Sequence, residues 1–206
     1  MSIVWHIAIS GFRQGEDRPN GLLDLWLRHL RLLQARDVFA AYRPWNHDWQ
    51  GLARLIELSA AATRKRDVLI GIYAYSYGAG WGAIRLCEHL AALGLSVQQC
   101  VLSDPVHRYA FPLANWRALR WFADGAEVKV PPNVRAVDWL YQDTDPLIRG
   151  HRVVAADPQR TTVSAGFHVP ATLHNAMDNH PEFHRRCLRV ARWLTNHTLQ
   201  NQAPQL

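Results

Sequence analysis

The chain has little cysteine: Cys87, Cys100 and Cys187 are its three, with no CxxC spacing among them. An odd count without metal-like spacing argues against a disulfide framework and against a zinc site. Each falls in a helix-like or strand-like stretch, so buried free thiols are expected, which suits a reducing cytoplasm. No apolar run has the ~20 residues needed to cross a bilayer, and no transmembrane segment is expected. The apolar start, Met1–Gly11, lacks a basic n-region and a small-residue cleavage site; it reads as a first core strand rather than a signal peptide.

Charge is sparse as well. Charged residues make up 19% and hydrophobic residues 49% of 206 residues, which excludes global disorder and allows one domain with a substantial core. The net charge of +6 comes mostly from arginine. These arginines are scattered, densest at Arg64–Arg66 and Arg185–Arg192. The second group lies opposite the helical face of Phe183, Cys187, Leu188, Ala191 and Leu194, so a solvated face explains it. Nucleic-acid binding is not expected, and only a mild attraction to anionic surfaces remains. The His-rich stretch His168–His184 has no HExxH spacing. The glycine-rich segment Gly78–Gly82 has no GKS/T ending and no suitably spaced ribose-binding acid. No metal and no cofactor are therefore expected.

What is present is an alternation of strand-like and helix-like segments, the signature of a mostly parallel sheet covered by helices. Strands are predicted over Ile3–Ser10, Asp37–Arg43, Asp67–Tyr75, Val97–Ser103, Arg135–Tyr141 and Thr161–Phe167. Helices are predicted over Leu22–Arg36, Asp48–Lys65, Gly78–Leu93 and from Pro181 to about His197, with Gly94 as a C′ glycine. The fold class is α/β, a single-domain three-layer sandwich over 1–197. The stretch 105–134 reads as a long aromatic-rich loop or small cap, and 198–206 as a flexible tail.

The most informative stretch is the apolar strand 68–75 running into Ala74-Tyr75-Ser76-Tyr77-Gly78. A strand that turns straight into a helix forces Ser76 onto a sharp, strained turn and lifts its hydroxyl clear of the sheet. Its neighbours at minus two and plus two, Ala74 and Gly78, must be small because the turning backbone packs against them. The following helix directs its N-terminus at the site, so the Tyr77 N–H can help hold an oxyanion. The plainer reading makes Ser76 an N-cap residue and the glycines a device for close helix packing.

On these residues the chain resembles minimal α/β hydrolases, the small lipase, esterase and cutinase-like members, over nearly its whole length. The resemblance implies the order nucleophile, acid, histidine. It also implies a second oxyanion donor just after an earlier strand, where Phe12 follows Ser10 and Gly11; the family's common His-Gly is absent there. His174, in Val169-Pro-Ala-Thr-Leu-His-Asn-Ala-Met-Asp178, stands where the family carries its catalytic histidine, with His168 and His180 as rivals. The His-x-x-Met-Asp pattern resembles the equivalent loop of small bacterial and phage-type hydrolases.

The acid must orient the imidazole from a strand end. Asp104 ends one strand and is preferred, resembling lipases that carry the acid one strand early. Asp143 and Asp145, after the next strand, are the alternatives. Trp45, Trp49, Trp116 and Trp121 are candidates for a hydrophobic wall around an acyl chain, with ordinary packing as the other possibility. The expected function is hydrolysis of a small-molecule ester or lipid-like substrate through an acyl-enzyme. The alternative is a catalytically inactive binding or structural protein with the same fold. The separation of Ser76 Oγ and His174 Nε2 discriminates between the two.

Overall fold

The computed structural model describes residues 2–62, 67–107 and 126–200, the last three of these by backbone alone. Its main sheet is built from β1 (Ser2–Ile9), β2 (Val38–Arg43), β3 (Asp67–Tyr75), β4 (Val97–Ser103) and β6 (Val134–Tyr141), with β8 (Thr162–Val163) and β9 (Phe167–His168) sharing the outer edge of β6. The order is β2-β1-β3-β4-β6-β8, and every pairing is parallel. A separate parallel pair joins β5 (Glu127–Val130) to β7 (Arg152–Ala155).

Strand alternation explains the layering. In β1, Ile3, Trp5, Ile7 and Ile9 point to one face of the sheet, and Val4 and Ala8 to the other. The first face is covered by α2 (Trp49–Ala62) through Leu52 and Ile56, and by α3 (Ala83–Ala92) through Leu86 and Leu90. The second is covered by α1 (Gly21–Arg28) through Leu22 and Leu25, and by α4 (Pro181–Gln200) through Phe183, Cys187 and Leu194. Full burial of a side chain such as Ile7 or Ile72 contributes about 1.5–3 kcal/mol, so both faces of the central strands must be apolar. The three-layer α/β sandwich expected from the alternation is the observed one.

Boundaries differ from the expectations where local geometry overrides periodicity. The helix predicted over Leu22–Arg36 ends at Arg28, because His29 leaves helical geometry at φ −131; a short 3₁₀ turn, Leu30–Leu33, follows. The helix after Ser76 opens with a π-helical turn, Gly78–Gly82, before α3. Gly94 does close α3, at φ +71, with Leu95 N–H bonded back to Leu90 O. The strand predicted over Thr161–Phe167 is divided into β8 and β9, since Gly166 turns at φ +86 against the Trp139 indole. Part of the expected long loop, Glu127–Val130, is strand β5. Helix α4 continues to Gln200, three residues into the stretch read as tail.

The three cysteines are buried and none is in a disulfide. No helix among the described residues is long and apolar enough to cross a membrane. No group of His, Cys, Asp and Glu among them could hold a metal ion.

The strand order sets where a site can form. From the centre, β1 leads outward to β2, whereas β3 leads the opposite way to β4, so the connections diverge between the C-terminal ends of β1 and β3. Open parallel sheets leave a crevice at such a point. Ser10 and Gly11 leave β1 on one side of it, and Ser76 leaves β3 on the other.

Candidate active site

Ser76 occupies a left-handed backbone conformation, φ +53, between the end of β3 and the π-helical turn. A non-glycine residue there is strained and requires support from its surroundings. The support is dense: Ser76 N–H donates to Ser103 O at 3.0 Å, and its carbonyl accepts from the amides of Ala79, Gly80 and Val106. Gly78 is obligatory for contact reasons, because a Cβ there would run into Ser10 O and lie 2.6 Å from Ile9 O. At Gly80 a Cβ would strike Val106 O. The glycines thus do serve close packing, as the plainer sequence reading held. The Ser76 hydroxyl does not cap the helix, however, and makes a different bond.

That bond is to His174 Nε2, at 2.9 Å. The other ring nitrogen, Nδ1, lies 2.6 Å from Asp104 Oδ2. An ionised carboxylate only accepts, so Nδ1 carries the ring proton and Nε2 is left to accept the Ser76 hydroxyl proton. Asp104 is completely buried, whereas Ser76 and His174 each keep 6% exposure. The burial of the Asp104 carboxyl removes water as its hydrogen-bond partner. It is compensated by Gln142 Nε2, which donates to Asp104 Oδ2 at 2.9 Å, in addition to the histidine. Gly150 passes so close that a Cβ there would strike Asp104 Oδ1.

The histidine is also held through its backbone. His174 begins a 3₁₀ turn, His174–Asn179. Its N–H donates to Asp145 Oδ2 at 2.9 Å, and its carbonyl accepts from the Tyr75 hydroxyl at 2.7 Å. The Tyr75 ring lies against the imidazole, centroids 5.1 Å apart. Burial pushes the Tyr75 pKa far up, and the carboxylates of Asp178, Asp104 and Asp145 push it the same way, so the hydroxyl stays a neutral donor. Burial raises the Asp145 pKa, but the amides of Ile148, Leu147 and His174 outweigh it and the net shift is downward.

The other sequence candidates are distributed as follows. Asp143 is not at Ser76; it pairs with His168 on the surface at 2.8 Å, a bond that lowers its pKa, so that rival acid and that rival histidine occupy each other. His180 accepts from Glu182 N–H at the start of α4. Asp145 is at the site but contacts the main chain of His174, not its ring. Trp49 takes the packing alternative: it is buried in the core between α2 and the sheet, its ring against Gly82, because it opens α2 on the inward face. Trp45 is partly exposed and forms a triangle with Phe12 and Tyr77, ring centroids 5.6 to 5.9 Å apart. Phe12 and Trp45 wall a groove of about 620 Å³ that also receives Arg13 and Asn46. Trp116 and Trp121 lie outside the described residues.

Phe12 follows Gly11, where a Cβ would lie 3.0 Å from Ser76 Cβ, so the loop after β1 runs directly beside the serine. Four supporting residues were missed by sequence reasoning: Gln14, Tyr75, Gln142 and Asp178. Gln142 left one signal, a polar residue at a strand end immediately before two aspartates. Asp178 left another, four residues from His174 in the same short turn.

No protein-family model matches the chain, and no curated protein matches it.

Proposed function

We propose that the chain is a serine hydrolase of the α/β-hydrolase type that cleaves carboxylic esters through an acyl-enzyme. The observation that carries this reading is the continuous chain of bonds from Ser76 Oγ to His174 Nε2, at 2.9 Å, and from His174 Nδ1 to Asp104, at 2.6 Å. A serine hydroxyl is a weak nucleophile until an imidazole takes its proton, and an imidazole does so best when a carboxylate fixes its tautomer.

In this reading Ser76 Oγ attacks the substrate carbonyl carbon as its proton passes to His174 Nε2. The carbonyl oxygen becomes an oxyanion and is met by the amides of Tyr77 and Phe12. Collapse breaks the bond to the leaving alcohol, which receives the proton from His174. Water then attacks the acyl-enzyme with His174 again as base, returning Ser76 and releasing the acid. Asp104 stabilises the imidazolium in both halves without taking the proton. The aromatic rings of Phe12, Trp45 and Tyr77 pack together on the two residues that follow Gly11 and Ser76 and on the loop after β2, and in this reading they favour an acyl or alcohol part with apolar surface.

Labelling with a fluorophosphonate probe tests the assignment, with the modified peptide identified by mass spectrometry. Modification at Ser76 in the native protein, absent in Ser76→Ala, is expected, together with hydrolysis of p-nitrophenyl esters. A folded native protein that neither labels nor hydrolyses would overturn the enzymatic reading in favour of a binding or structural role.

A further inference from the structure

The loop that carries Phe12 is held through Gln14. Gln14 Oε1 accepts from Gly11 N–H at 2.9 Å, and Gln14 N–H donates to Gly11 O at 3.2 Å. Gln14 O accepts the Ser10 hydroxyl at 2.8 Å. The Gly11–Phe12 segment is therefore clamped from both sides, across a tight turn in which Arg13 adopts φ +60. The remaining polar group of Gln14, its Nε2, donates to Asp178 Oδ2 at 2.9 Å.

Asp178 is buried, and the same Oδ2 accepts Gly21 N–H at 2.8 Å, at the start of α1. It lies on the single 3₁₀ turn that begins with His174, and Ser103 Oγ pins that turn by donating to Met177 O at 2.8 Å. One end of the turn thus meets Ser76, and the other meets the loop beside Ser76. Two components that must be at a set distance from one carbonyl group, the base and an oxyanion donor, are joined by a strut of two side chains.

We infer that Gln14 and Asp178 are positioning residues for the reaction, holding the Phe12 amide in register with His174. The inference rests on the ester-hydrolase reading and extends it to two residues that never touch substrate. Oxyanion donors act on charge that exists only in the transition state. Loosening the strut therefore lowers kcat and leaves KM nearly unchanged.

The test uses the full chain and p-nitrophenyl butyrate, with native protein, Gln14→Leu, Gln14→Glu and the double variant Gln14→Glu/Asp178→Asn. Gln14→Leu keeps the size and removes both bonds. Gln14→Glu keeps an acceptor for Gly11 N–H but sets a carboxylate against Asp178. In the double variant the asparagine amide donates to the new carboxylate, restoring the bond between the two side chains with its polarity reversed, while Gly21 N–H loses the oxygen it shares in the native protein, so the rescue is partial. Removing one oxyanion donor costs about 10²–10³-fold in turnover, and a displaced one costs up to that amount.

The expected result is a kcat loss of about 10²-fold for Gln14→Leu and for Gln14→Glu, with an equal weakening of inhibition by a phenylboronic acid. The double variant recovers at least about tenfold over Gln14→Glu. Thermal unfolding is followed alongside, and the rescue comparison stands even where Gln14→Leu does not fold. An active native enzyme whose Gln14 variants keep kcat, or lose only KM or Tm, or show no rescue, overturns this inference alone. A native protein that does not hydrolyse the ester overturns it together with the reading on which it rests.

Discussion

Asp145 Oδ2 accepts the backbone N–H of His174 at 2.9 Å, while the ring of the same histidine is held by Asp104. Two carboxylates from neighbouring strand ends therefore grip one residue at different points, and a third, Asp143, faces away toward His168. The three aspartates have separable roles, and they differ in what their loss does.

Asp104→Asn keeps the shape of the site and allows the amide to favour the wrong histidine tautomer, so kcat/KM is expected to fall by about 10³–10⁴. Asp145→Ala frees the backbone of His174 and costs about 10–10²-fold, the scale of a misplaced catalytic group. Asp143→Asn leaves turnover at the native level. Ester hydrolysis by the three variants, measured side by side, checks the order; an Asp143 variant as damaged as the Asp104 variant would refute the assignment.

Tyr75→Phe preserves the ring against His174 but removes the donor to its carbonyl. A buried carbonyl left unsatisfied costs about 1–3 kcal/mol. A lower Tm with reduced kcat is expected, since the carbonyl belongs to the residue that carries the base. An unchanged Tm would mean that the hydroxyl bond contributes nothing net.

Two glycines make opposite controls. Gly94→Ala meets no atom within 4 Å, but φ +71 is unfavourable for alanine, so the loss is about 1–2 kcal/mol from conformation alone. Gly78→Ala meets the carbonyls of Ser10 and Ile9 and must displace one strand end, costing about 1–3 kcal/mol or more. For a chain of this size each kcal/mol corresponds to roughly 2–4 °C in Tm. Fluorophosphonate labelling should survive in the first variant and fail in the second.

His6 supplies a pH dependence of stability. It is buried between the hydroxyls of Tyr73 and Thr195, and burial lowers its pKa from 6.5 to about 4. Above pH 6.5 both folded and unfolded states hold it neutral. Below that the unfolded chain takes up a proton that the folded chain refuses, so stability falls between pH 6.5 and about 4 and then levels. The loss attributable to His6 reaches about 3 kcal/mol. Urea unfolding of native protein and His6→Gln across that range checks it: the stability gap between them should narrow as pH falls. A constant gap would rule His6 out as the source.

Features that depend on neighbours along the chain are legible in the residues alone. Alternating and 3.6-residue periodicity dictate which side chains can be buried together, and so the α/β layering follows from the string of residues. The turn at Ser76 was legible for the same reason, since Ala74 and Gly78 answer a steric demand arising within two residues. His174 was legible as a histidine in the last loop before the last helix. Which aspartate meets it depends on how the strands dock side by side. Asp104, Asp143 and Asp145 have nearly the same local signal, a strand end beside a turn. Their difference arises from lateral pairing: β4 and β6 run in register from Val97 with Val134 to Ser103 with Leu140. That register delivers Asp104 to the imidazole ring, Gln142 to the Asp104 carboxylate and Asp145 to the His174 amide. Gln14 and Asp178 meet across 164 positions for a similar reason. Contacts of that kind depend on the docking of whole elements, which no local propensity encodes.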